Sequence, residues 1–127
     1  MGLLGSLLGN ASSISVEEAT KEYGYVLAKG EGIEVAYRLV RDMFIFTPKR
    51  LILVDVQGIT GKKVEIQSIP YRSIVRFSVE TAGHLDLDAE LKIWLSGAAL
   101  PIEKKFNKNV NIYEVQAILA DAIVSVE

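Results

Sequence analysis

Cysteine is absent from the 127 residues. That absence removes disulfides, thiol nucleophiles and Cys-based zinc sites together, and it fits a reducing compartment. Histidine occurs once, as His84, so only one side chain titrates near neutral pH without a special environment. No apolar run is long enough to span a bilayer. The apolar segment Gly2 to Gly9 lacks the basic flank of a secretory signal, and a soluble, cytoplasmic protein is expected. Neither sign of charge dominates, because fourteen Lys and Arg stand against sixteen Asp and Glu for a net charge of −2. Nucleic-acid binding, which leaves a strongly basic domain or patch, is therefore not expected.

What is present is the composition of one globular domain, half apolar and a quarter charged. The segment GLLGSLLG places Leu3, Leu4, Leu7 and Leu8 on one side of a helix, since residues four apart stack on the same face. Those leucines need a partner surface in this domain, in a neighbouring subunit or at a membrane. Ser15 followed by Glu18 is a capping-box pattern, and a helix is predicted from Val16 to Leu27 with Val16, Ala19, Tyr23 and Val26/Leu27 as its apolar stripe. Gly30 and Gly32 close it.

The period then changes to two. Ile33, Val35, Tyr37 and Leu39 alternate with Glu34, Ala36 and Arg38, the pattern of a strand with one largely wet face. From Arg41 to Gly83 the chain reads as a meander. Arg41-Asp42 reverses into Met43 to Thr47, and the turn Thr47-Pro48-Lys49-Arg50 feeds Leu51 to Gln57. Gly58 and Gly61 bracket the next turn, before Val64 to Ile69. Beyond Pro70 comes Ile74 to Thr81, with Val75, Phe77 and Val79 on one face. Ala89 to Leu95 and Leu100 to Phe106 follow across a Ser96-Gly97 hairpin, and Pro101 assigns the last strand to an edge or its start. Asn111, with Glu114 three residues on, caps a final helix running to Val126. Its stripe is Ile112, Val115, Ile118, Leu119, Ala122 and Ile123. Seven antiparallel strands and one such helix predict a bent sheet whose open end the helix closes.

Candidate chemistry is sparse. His84 near Asp86 and Asp88 is compatible with an acid-base pair or a metal site, but one His, no Cys and a Gly/Asp-rich loop read as a solvated turn. In GITGKK, Val56 and Lys63 stand where a phosphate loop needs Gly and a hydroxyl, so it is a turn. No cofactor and no catalytic or metal residue is expected. Trp94 falls on the Glu90/Lys92 side of its strand, and Leu51 and Leu53 are read as outward apolar positions. Together with Leu3, Leu4, Leu7 and Leu8 they are the candidate contact residues.

Several of these stretches resemble the bacterial pleckstrin-homology (PH) domain family. They are Asp42-x-x-x-x-Thr47-x-x-Arg50-Leu-Ile, the Gln57-Gly58-x-Thr60-Gly61-Lys62-Lys63 turn, Ile69-Pro70-Tyr71-x-x-Ile74, and Phe77-Ser78-x-Glu80-Thr81-Ala82-Gly83 with Asp86-Leu87-Asp88. The likeness runs from Gly30 to the C-terminus. It implies a mainly β, PH-like seven-stranded barrel capped by a C-terminal helix over residues 30–127, with residues 1–29 as an N-terminal helical extension. It further implies a bacterial cytoplasmic protein that is not an enzyme and that assembles into closed rings, a homo-oligomer acting as a protein-interaction or scaffolding module for an unknown protein partner. Within that resemblance, Met1-Gly2-x-x-x-Ser6 matches the N-myristoylation pattern only formally, because a bacterial cytoplasm lacks the enzyme. The alternative is a peripheral membrane module binding lipid headgroups through Lys49, Arg50, Lys62 and Lys63. It is less favoured, since turn cations are commonly just solvated and the apolar N-terminal segment carries no charge before Glu17.

Overall fold

A computed structural model of the protein describes residues 13–39, 41–81, 89–107 and 109–124. Leu3, Leu4, Leu7 and Leu8, together with His84, Asp86 and Asp88, lie outside the described residues. Ser15 opens the first helix as expected, its Oγ accepting from the Glu18 N–H at 3.0 Å. Helix α1 spans Val16–Tyr23, with Glu17 and Glu18 in the first turn, where the helix dipole favours negative charge. It is shorter than the expected reach to Leu27, because the chain tightens into a 3₁₀ turn over Gly24–Val26.

Five strands form the first sheet in chain order: β1 (Ser13–Ile14), β2 (Val35–Arg38), β3 (Met43–Phe46), β4 (Arg50–Gln57) and β5 (Lys63–Pro70). Each pairs antiparallel with the next. One face carries Ala36, Met43, Ile45, Ile52 and Val54, and α1 covers it by seating Ala19 there, with Val16, Tyr23, Val26 and Leu27 packed around the cluster. The face of β2 expected to be largely wet is thus a second core surface, and Ala36 is wholly buried. Only Arg38 at its end reaches solvent, where it pairs with Glu22 of α1 at 2.6 Å.

The opposite face is buried too. Phe44 stands opposite Leu53 and Phe46 opposite Leu51, and the Tyr37 and Phe46 rings meet edge-on at 6.3 Å. Leu51 and Leu53, read as outward, are therefore core residues. The physical reason is that Leu51-Ile52-Leu53-Val54 is an unbroken apolar run, and a strand covered on both faces needs no polar alternation.

The second sheet holds β6 (Ile74–Thr81), β7 (Ala89–Leu95) and β8 (Ile102–Phe106), again in chain order and antiparallel. Here the expected alternation breaks at one place. Ile74 pairs with Leu95 but Arg76 with Trp94, so the register shifts between them. The extra residue at this bulge is Val75, which is 65% exposed while Ile74 is buried. Simple period-two reading put Val75 on the same face as Phe77 and Val79. The strand β8 begins after Pro101, leaving Leu100 exposed ahead of it.

Helix α2 spans Ile112–Ile123, and Asn111 caps it by accepting from the Tyr113 N–H at 3.1 Å. It lies against β6 and the 3₁₀ turn Tyr71–Ser73, burying Ile112, Val115, Ile118 and Leu119. The fold is mainly β, with four and three longer strands in two antiparallel sheets. The described residues divide into two compact units whose boundary falls between Pro70 and Tyr71. Each unit contains one whole sheet. Among the described residues no helix is long and apolar enough to cross a membrane.

Candidate functional site

The candidate anion-binding residues, Lys49, Arg50, Lys62 and Lys63, lie in or beside the turns at the two ends of β4. In the turn between β3 and β4, Thr47 Oγ1 accepts from the N–H groups of Lys49 and Arg50, both at 3.1 Å, and donates to Glu31 Oε2 at 2.6 Å. Arg50 then spends its guanidinium inside the protein. Nε donates to Glu31 Oε2 at 3.0 Å, Nη2 to Glu31 Oε1 at 2.9 Å and to the Val26 carbonyl at 2.8 Å, and Nη1 to Ser68 Oγ. The Glu31 side chain is wholly buried. These hydrogen bonds, that of Arg50 foremost, hold its carboxyl down to about 2 against the force of burial. Arg50 is thus a structural cation, with four of its five N–H donors bonded within the protein, which corrects its reading as an anion-binding group. Lys49 beside it is exposed.

Lys62 and Lys63 are exposed as well, but at the other end of the same hairpin. Arg50 pairs with Pro70 and Gln57 with Lys63. Seven residue steps separate the two ends, about 24 Å at strand rise. The two basic pairs cannot converge on one headgroup.

The turn that carries Lys62 is braced. Gly58 and Gly61 sit at φ +81° and +72°, a left-handed geometry that costs other residues strain. The Gly61 N–H donates to the Gly58 carbonyl at 3.2 Å, and the Arg41 guanidinium donates to the same carbonyl. Asp42 Oδ1 accepts from the Val56 N–H at 3.0 Å. This frame holds Ile59 at the apex, fully exposed.

Trp94 is half-buried on the outer face of the second sheet, and the Arg76 guanidinium lies 3.9 Å from its ring centroid. One face of the indole is therefore covered by a cation on the adjacent strand. The trio Glu31, Thr47 and Arg50 was missed by sequence reasoning, because Gly30-Glu31-Gly32 reads as a wet turn. The one available signal was an Arg and a Thr three residues apart in another turn. Among the described residues no three His, Asp or Glu side chains gather as a metal cage requires.

The sheet edges differ in how well they are guarded. The first sheet ends in β1, two residues long, and in β5, eight residues long. The second ends in β6, interrupted by its bulge, and in β8, five residues that include Glu103, Lys104 and Lys105. Shortness, bulges and charges all discourage an edge from pairing with another chain. Among the described residues strand β5 alone is long and in unbroken register with its neighbour; it carries Lys63 and Glu65 at one end and Pro70 at the other, but the stretch Ile66 to Ile69 between them is uncharged, and Gln67 and Ser68 in it are exposed.

Relatives share this architecture. The chain matches the bacterial PH domain family over residues 2–123. YjqA of Bacillus subtilis (strain 168) is 60% identical over 121 residues, which cover 94% of this chain and 97% of that protein. YozO of the same organism is 34% identical over 113 residues, or 89% and 96% of the two chains. A solved pleckstrin homology domain from Shewanella amazonensis superposes with a TM-score of 0.80 at 46% identity, covering 94% of this chain and 97% of the other. A second, from a Shewanella loihica protein, gives 0.76 at 46% identity over 88% and 96%. With its two antiparallel sheets, its capped C-terminal helix and these likenesses along nearly its whole length, the chain belongs to the bacterial PH domain family.

Proposed function

We propose that this protein is a non-enzymatic cytoplasmic module that associates head to tail with copies of itself into a closed ring and serves as a scaffold for a protein partner. The observation that carries this reading is the outer edge of β5, which no further strand pairs with among the described residues and whose stretch Ile66 to Ile69 carries no charge. An exposed edge offers its backbone N–H and C=O groups to a further strand, and strand addition is a common mode of protein recognition. A head-to-tail contact joins two different surfaces, so repetition closes into a ring where the rotation allows. Light scattering on the native protein should give a mass several times the 14.0 kDa of one chain. Lysines placed along the edge by Val64→Lys with Gln67→Lys should reduce it to monomer without unfolding it. A wild-type protein that is monomeric at micromolar concentration overturns the proposal.

A second reading is favoured by the braced apex. Ile59 stands out from the hairpin beside Lys62 and Lys63, a combination suited to an anionic lipid surface, where the aliphatic tip inserts and the lysines meet the headgroups. Lys49, at the far end of the hairpin, takes no part. Binding to phosphatidylserine vesicles should weaken as salt rises and should fall with Ile59→Ser. Indifference to such vesicles at low salt eliminates this reading.

A further inference from the structure

Helix α2 has a second apolar stripe that stays largely exposed among the described residues. Its inner stripe is buried against the second sheet, yet Tyr113, Ala117, Ala120 and Val124 follow one another at steps of four, three and four. At 3.6 residues per turn these four lie within about 60° of one another, on the side away from Ile112, Val115 and Leu119. Tyr113 is 61% and Val124 63% exposed, and the two alanines between them are partly exposed. No Lys or Arg occurs in the helix, and Glu114 is buried, so Gln116 and Asp121 are the polar residues that flank this stripe. A helix facing water ordinarily shows a charged face, and one that is apolar nearly all round expects cover on both sides. The steps of four and three are those of a helix-helix seam, with small residues at its centre and large ones at its ends, a saddle that admits another helix closely.

We infer that this outer seam is the docking site for the protein's own N-terminal leucine segment, residues 3–8. The segment is the other unassigned apolar element of the chain. Leu3, Leu4, Leu7 and Leu8 form two pairs at helical spacing, and GLLGSLLG carries no charge, which suits a seam with no charged group at its centre. Glycine at positions 2, 5 and 9 allows close approach. Twelve residues precede Ser13, where the described chain begins. Extended, they reach about 40 Å, and the covalent link gives the segment an effective concentration on the order of millimolar that a second copy or a free partner must exceed. The inference does not depend on ring assembly.

The lack of cysteine makes the test clean. Leu7→Cys is combined with Ala117→Cys or Ala120→Cys in the full chain, oxidised at low micromolar concentration and read by non-reducing electrophoresis and intact mass. An intramolecular disulfide should form at least tenfold faster than in a Leu7→Cys/Lys62→Cys control. Equal rates overturn the inference, and predominant cross-linked dimers overturn it in favour of a second copy as occupant. Hydrogen exchange supplies an independent reading. Amides of residues 3–8 should be protected at least tenfold in the wild type and lose that protection in Ala120→Lys, while β4 amides stay unchanged. An unprotected segment in the wild type, or protection that survives Ala120→Lys, also overturns it.

Discussion

Arg50 closes on Glu31 with two nitrogens, at 2.9 and 3.0 Å, and so ties the loop ahead of β2 to the first residue of β4. The carboxylate is wholly buried and the guanidinium largely so. Two-point contacts of this kind fix geometry as well as charge. Among the described residues no buried side-chain nitrogen or oxygen is left without a partner, and this trio is the costliest place to break that condition.

Arg50→Met should destabilise the protein by about 3–5 kcal/mol, because it leaves a buried carboxylate uncompensated. Arg50→Lys should recover only part of that loss, since an ammonium cannot reproduce the fork. Glu31→Gln combined with Arg50→Met should cost less than the two single changes added together. Urea denaturation of the wild type and the four variants, Glu31→Gln alone included, checks all three expectations.

Acid should attack the same pair. The Glu31 carboxyl is lowered from 4.5 to about 2, chiefly by its hydrogen bond from Arg50. A depressed folded-state value means that its stabilisation is fully present above about 4.5 and is lost as pH falls toward 2. Its size is about 3 kcal/mol. Between those limits the wild type should lose stability more steeply than Glu31→Gln. Parallel curves for the two proteins would count against the linkage.

The bulge in β6 makes a sharp contrast between adjacent residues. Ile74→Ala should cost about 2–4 kcal/mol, since it hollows the core. Val75→Ala should stay within about 0.5 kcal/mol, as for surface changes generally. An unbulged strand predicts the reverse order, and thermal unfolding of the two variants decides between them.

Trp94 is the protein's single tryptophan, so its fluorescence reports on one place. Removing the guanidinium over its ring with Arg76→Ala should shift the emission to the red as water reaches that face. The cost in stability should be small, about 0.5–1 kcal/mol. Unchanged emission would mean that Arg76 does not cover the indole in solution.

Much of the fold was legible in local pattern. Ser15 and Asn111 announce their helices by residue type and spacing, and both caps are made as the spacing predicts. Period-two runs located seven strands, and Gly58 and Gly61 marked their turn. What escaped was whatever depends on a partner far along the chain. Ala36 gives no hint that a helix will cover it, and Leu51 and Leu53 were placed outward only because alternation assumes one wet face. Glu31 meets an arginine nineteen residues away, a pairing that no window of local sequence contains. A bulge such as that at Val75 shifts every later residue by one place without a mark in composition.

Among the described residues both sheets pair each strand only with the strands next to it in chain order. During synthesis each hairpin therefore has its whole complement of residues as soon as its second strand is made, and no strand waits for one made much later. Such local pairing keeps loop closure inexpensive and the intermediate states short-lived. The two-residue β1 follows the same rule, taking its place as soon as β2 exists to receive it. For a protein proposed to assemble by an exposed edge, order of arrival matters: β4 is already present to hold β5 in register when that edge first meets another chain.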